Sequence, residues 1–158
     1  RYFHGTGHIV RFIEYMDVGN RNGWELSEVV PGSELVDMIH RAMPLRVSAP
    51  NYVGEVAQRY QYLDGGGEIG VICSVTRPFC GECTRARLSN DGKLYTCLFA
   101  GEGLDLKGPL RAGADDDALY ELIAENWHGR SDRYSELRAG DSGIGPAPKK
   151  VEMYSIGG

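Results

Sequence analysis

Ile9-Val10-Arg11-Phe12-Ile13-Glu14-Tyr15-Met16 is the stretch whose reading decides the fold. Rich in β-branched and aromatic residues, it reads as a strand, which Asp17, Gly19, Asn20, Asn22 and Gly23 then break. Trp24 to Pro31 reads as irregular. Ser33 suits the N-cap of a helix that carries Leu35, Met38, Ile39 and Ala42 on one face and is ended by Pro44. Strand, loop and helix make one βα unit, the building block of an α/β fold. A parallel strand has to be covered on both faces. The unit is therefore expected to need neighbours that this sequence does not contain.

Further along, the pattern turns to hairpins, so the chain as a whole reads as α+β. Tyr60-Gln61-Tyr62 and Glu68 to Thr76 are extended segments joined by Asp64-Gly65-Gly66-Gly67. Arg85 to Ser89 and Lys93 to Phe99 flank Asn90-Asp91-Gly92, a sharper hairpin signal of the same kind. Asp115-Asp116-Asp117 opens an amphipathic helix with Leu119, Leu122, Ile123 and Trp127, its acidic first turn matched to the positive end of the helix dipole. Gly129 to Pro148 reads as loop or short helix, and Val151 to Ile156 as a last extended piece before Gly157-Gly158.

Composition narrows the function. The net charge of −5 argues against a broad nucleic-acid surface, although a local group of arginines can still hold a small anion. No apolar run is long enough for a transmembrane helix, so no membrane partner is expected. With no basic-then-apolar leader, a cytoplasmic location is expected. A first residue other than methionine suggests a piece of a longer protein. The four histidines, Trp24 and Trp127 read as packing or surface residues.

The cysteines carry the chemistry. Cys80-Gly81-Glu82-Cys83 is a C-x₂-C pair, and Cys97 follows after thirteen residues. Two intervening residues let both thiolates reach one metal from a tight turn, and the Asn90-Asp91-Gly92 hairpin can fold the third thiolate back toward them. Four cysteines without a secretory leader point to ligands or buried thiols rather than disulfides. Three readings stay open on spacing alone. One is a structural zinc site with Cys73 or a distant His as fourth ligand. Another is a [4Fe–4S] cluster on three cysteines with one iron open. The third is a set of buried thiols. Arg85 and Arg87 alternate after Cys83, so on an extended segment they share a face where guanidiniums could clamp phosphates.

The run Pro78-Phe79-Cys80-Gly81-Glu82-Cys83-Thr84-Arg85-Ala86-Arg87-Leu88-Ser89-Asn90-Asp91-Gly92-Lys93-Leu94-Tyr95-Thr96-Cys97-Leu98-Phe99 closely resembles the MoaA family, the GTP 3′,8-cyclases of molybdenum-cofactor biosynthesis. Val10 to Met16 and the terminal Gly157-Gly158 add to the resemblance. It implies a lyase of the radical S-adenosylmethionine class, with an incomplete (βα)₆ barrel followed by a cluster domain. Residues 1–45 would be the last part of the barrel and 46–158 the C-terminal domain that binds a [4Fe–4S] cluster and GTP. By resemblance, Cys80, Cys83 and Cys97 ligate that cluster and its open iron takes the guanine. Arg85 and Arg87 contact GTP, Met16 lines the S-adenosylmethionine site, Arg11 faces the active cavity, and Gly157 and Gly158 reach into it.

The family's other cluster, which cleaves S-adenosylmethionine, uses a C-x₃-C-x₂-C that is absent from this sequence. The chain alone is therefore expected to be inactive. Its expected partners are GTP, an N-terminal radical half of the same protein and a second copy in a homodimer. The alternatives are a zinc-stabilised, non-catalytic binding module, or the auxiliary-cluster domain of another radical S-adenosylmethionine enzyme.

Overall fold

The computed structural model describes residues 1–140 and 150–156. The chain forms two compact units. One gathers Arg1–Met16, Trp24–Cys83 and the residues from Ser135; the other gathers Asp17–Gly23, Thr84–Tyr134 and the tail that includes 150–156.

The first unit is built on strands β1 (Val10–Ile13), β2 (Leu45–Ser48), β3 (Gln58–Tyr62) and β4 (Glu68–Ile72), in the order β1-β4-β3-β2. Along β1, Val10 and Phe12 are half-buried while Arg11 and Ile13 are exposed, the two-residue alternation of a strand. β4 lies between two neighbours, and Ile69, Gly70 and Val71 are all buried. Ile69 and Val71, with Leu45, Ala57 and Val75, form the apolar centre of the unit. The turn from β3 to β4 forms as expected, with the Gly66 N–H bonded to Asp64 Oδ1 at 2.9 Å.

One expectation is corrected here. The parallel neighbour of β1 lies within the chain: β1 runs parallel to β4, with Arg11 beside Gly70. They are connected through helix α1 (Gly32–Ala42) and the antiparallel pair β2–β3. Composition cannot reveal a pairing between segments so far apart, because it depends on closing the whole intervening loop.

Ser33 is not the N-cap of α1, for the helix begins at Gly32 with Pro31 before it. The Gly32 N–H donates to Glu14 Oε1 at 2.8 Å, so a carboxylate from the end of β1 caps the helix and the serine falls inside the first turn. A negative group there also suits the helix dipole. Gly32 is held to glycine by packing, since a Cβ would stand 2.4 Å from Cys73 Sγ and 2.8 Å from Val71 Cγ1. At the other end of the helix, the Leu45 N–H donates to His40 Nδ1 at 3.0 Å.

The second unit carries strands β5 (Arg87–Leu88), β6 (Lys93–Tyr95) and β7 (Leu104–Asp105) in one antiparallel sheet. The Asn90-Asp91-Gly92 turn joins β5 to β6 as expected, between strands shorter than the sequence suggests. Ser89 organises it: its N–H donates to Lys93 O at 2.9 Å, and its Oγ accepts the Lys93 N–H at 3.0 Å. Gly92 has φ +82° and would place a Cβ 2.7 Å from Lys107 Cβ, so both backbone and space require glycine. Helix α2 (Lys107–Arg111) follows. Helix α3 (Asp116–His128) is capped by Asp115, which accepts the Ala118 N–H. Leu119, Leu122 and Trp127 of its apolar face are half-buried, whereas Ile123 is exposed.

Helix α4 (Tyr134–Gly140) supplies the short helix expected after Gly129. The extended piece expected over Val151–Ile156 is not a strand. Among the described residues it has a single bridging backbone bond, Val151 N–H to Ala100 O at 3.1 Å, and then winds into a 3₁₀ turn at Met153–Ser155. Ile156, 3% exposed, anchors that turn. The fold is a mixed α+β arrangement of two sheets and few helices. Among the described residues, no helix is long and apolar enough to cross a membrane.

Candidate metal centre

Cys80 opens a 3₁₀ turn, Cys80–Glu82, closed by the Cys83 N–H bonding to Cys80 O at 3.2 Å. The C-x₂-C pair thus sits on a single turn, both residues half-buried. The turn is moored to α4 where the Gly81 N–H donates to Glu136 Oε1 at 3.2 Å. Beside it lies a cleft of about 690 Å³, within the size range of small-molecule sites. Cys73, Arg77, Phe79, Glu82 and Glu136 are among its lining residues.

Cys97 belongs to the second unit and lies past the end of β6 rather than on it. It begins a turn in which the Ala100 N–H donates to Cys97 O at 3.3 Å and the Phe99 N–H to Cys97 Sγ at 3.4 Å. The Phe99 ring stacks on Tyr134 with centroids 4.5 Å apart. Burial pushes the Tyr134 phenol up, and negative charge on Cys97 pushes it the same way.

The three expected ligands therefore divide between the units, two in the first and one in the second. Among the described residues, no group of three or more His, Cys, Asp and Glu side chains is gathered to hold a metal ion. Thiol sulfurs are the donors that an iron–sulfur cluster takes, and the first unit presents two of them on one tight turn. Cys73 has a different environment. Burial pushes its thiol up, and the Glu14 charge adds to this. Its sulfur lies against Gly32 at the start of α1.

The remaining expected site residues are more scattered. Arg87 is half-buried on β5 opposite Tyr95, while Arg85 precedes the strand and is exposed. Arg11 is exposed on β1, its stem over Gly70, where a Cβ would come within 3.4 Å of Arg11 Cγ. Met16 is half-buried and lies beyond the end of β1, not on the strand. Gly157 and Gly158 lie outside the described residues.

Two buried charged sites, a lone carboxylate and an ion pair, carry no mark in the sequence pattern. Glu14, 5% exposed, accepts four hydrogen bonds: from the N–H groups of Gly32, Val75 and Thr76 and from the Thr76 hydroxyl. Burial pushes its carboxyl up, but the bonds from Thr76, Gly32 and Val75 more than offset this and hold it below its ordinary value. The only signal in the sequence is a lone carboxylate at the end of an apolar run. The other is Lys150, whose partner Asp17 stands at the far end of the chain.

The family model described as Molybdenum Cofactor Synthesis C matches residues 8–136. A Xanthomonas campestris protein named GTP 3′,8-cyclase is 52% identical over 157 residues, which take in 99% of this chain and 45% of that protein. An Acidothermus cellulolyticus protein of the same name is 49% identical over 175 residues, covering 97% of this chain and 48% of that one. A third, from Staphylococcus haemolyticus, is 46% identical over 158 residues, 99% of this chain and 46% of the relative. The chain spans about half the length of the curated relatives it matches.

Proposed function

Since the chain belongs to the Molybdenum Cofactor Synthesis C family, we propose that it is the substrate-holding part of a GTP 3′,8-cyclase. Cys80, Cys83 and Cys97 hold a [4Fe–4S] cluster, and Arg85 and Arg87 bind the phosphates of GTP. Residues 1–45 complete a partial barrel and 46–158 form the cluster domain. Arg11, Met16, Gly157 and Gly158 border the reaction cavity of the intact enzyme. When bound, the cluster supplies a Lewis-acidic iron with a free coordination position for the guanine. The thiols of S-adenosylmethionine cleavage belong to an N-terminal half, so this chain by itself binds GTP without cyclising it.

The observation that carries this reading is the match of 99% of the chain, thiol run included, to proteins named GTP 3′,8-cyclase. Two features of the residues support it against a zinc module built on four cysteines. Burial and the Glu14 charge oppose ionisation of the Cys73 thiol, and metal ligation requires a thiolate. The cysteine turn also borders a cleft of small-molecule size.

Calorimetry of GTP binding to the reconstituted chain tests the assignment. Arg85→Ala and Arg87→Ala are each expected to weaken GTP by about ten- to a hundredfold, because a hydrogen bond to a charged group contributes roughly 1.5–3 kcal/mol. Guanosine, which lacks phosphates, is expected to bind the variants and the parent alike. Unchanged GTP affinity in both variants would count against phosphate binding by this pair.

A further inference from the structure

Lys150 is buried, with 6% of its surface exposed, a rare state for a lysine without a partner. Its ammonium donates to Asp17 O and to Asp17 Oδ2, both at 2.7 Å. The Tyr134 hydroxyl donates to the same Oδ2 at 2.5 Å. The ammonium also lies 4.6 Å from the Tyr134 ring centroid and 5.3 Å from that of Phe99, within reach of a cation–π attraction. The backbone on either side is tied as well. The Lys150 N–H donates to Asn20 Oδ1 at 3.0 Å, and Asn20 Nδ2 donates to Lys150 O at 2.6 Å.

All of these groups belong to the second unit. Anchoring a tail does not require such an arrangement, since buried Ile156 can do that at lower desolvation cost. What the ion pair adds is a fixed point. One cation touches both stacked rings, and Phe99 is the residue whose N–H reaches Cys97 Sγ.

We infer that Lys150 is a positioning residue for the Cys97 arm of the cluster site, its ammonium clamping Asp17 and the Phe99–Tyr134 ring pair so that the Phe99 N–H stays against the Cys97 sulfur. This rests on the reading of Cys97 as a cluster ligand. The ammonium is ion-paired with Asp17, so its loss would leave that carboxylate uncompensated in the second unit, and charge around a cluster sets its reduction potential. Groups that orient metal ligands from behind typically contribute about ten- to a hundredfold in metal affinity.

The test compares the anaerobically reconstituted chain with Lys150→Met and Tyr134→Phe, reading the rate of iron loss to a chelator and the reduction potential. In Lys150→Met, iron is expected to leave at least about tenfold faster and the potential to move negative. Tyr134→Phe, which removes one hydroxyl, is expected to shift both in the same direction by less. A folded Lys150→Met with the parent's rate and potential would overturn the inference. Where Lys150→Met does not fold, a Tyr134→Phe indistinguishable from the parent overturns it instead. A parent chain that takes up zinc and no sulfide would remove the cluster reading itself, a distinct result from a loaded parent with silent variants.

Discussion

Cys97→Ala is expected to leave the reconstituted chain with almost no iron or labile sulfide and no detectable GTP affinity from the cluster. Cys80 and Cys83 share one turn, so losing either leaves a single thiolate there. Losing Cys97 leaves the second unit with none, because it is the only cysteine among Thr84–Tyr134. Cys73→Ala is the informative control. That thiol is pushed up by burial and by Glu14 and packs against Gly32, so its removal is expected to lower stability modestly and leave iron content unchanged. The two variants separate three ligands from four. Metal analysis of each after anaerobic gel filtration checks the result, and iron loss in Cys73→Ala comparable to that in Cys97→Ala would contradict it.

Glu14→Ala is expected to destabilise the first unit by on the order of 3–9 kcal/mol. Three buried or part-buried N–H groups, from Gly32, Val75 and Thr76, lose their acceptor, and each orphaned donor costs roughly 1–3 kcal/mol. Against a total stability of about 5–15 kcal/mol, that is a large fraction of the margin that keeps the chain folded. Glu14→Gln keeps one acceptor oxygen and is expected to cost less.

The same carboxylate sets an acid limit. Its folded pKa lies below the ordinary value of 4.5, so the folded state binds its proton less readily than the unfolded chain does. The stabilisation is complete above that ordinary value and is lost as pH falls through the lower folded value. Urea unfolding followed by circular dichroism between neutral and acid pH is expected to show this loss in the parent. Glu14→Gln is expected to show a flatter profile over the same range, and an equal acid slope in both would contradict the assignment.

The elements legible in the sequence are those whose causes are local. Asn90-Asp91-Gly92 makes its turn because Gly92 supplies the positive φ, and Asp115 caps α3 through its own side chain. The C-x₂-C turn likewise follows from two intervening residues, one of them glycine. What escaped reading depends on distant partners. The start of α1 is set by Glu14, which lies 18 residues away from Gly32. Lys150 meets Asp17 across a separation of 133 residues. No periodicity marks either contact, because an isolated charge in a strand or a tail reads as a solvated one. The parallel pairing of β1 with β4 was hidden for the same reason. The tail failed as a strand because one bond to Ala100 does not make a ladder, and the 3₁₀ turn satisfies the N–H groups of Ser155 and Ile156 instead.

Iron, sulfide and zinc analysis of the wild-type chain after anaerobic reconstitution, with GTP titrated into the product, tests the central claim most directly. About four irons with matching labile sulfide per chain, and an absorption spectrum perturbed by GTP, is the predicted result. One tightly held zinc without labile sulfide, or a full cluster whose spectrum GTP leaves unchanged, would contradict it.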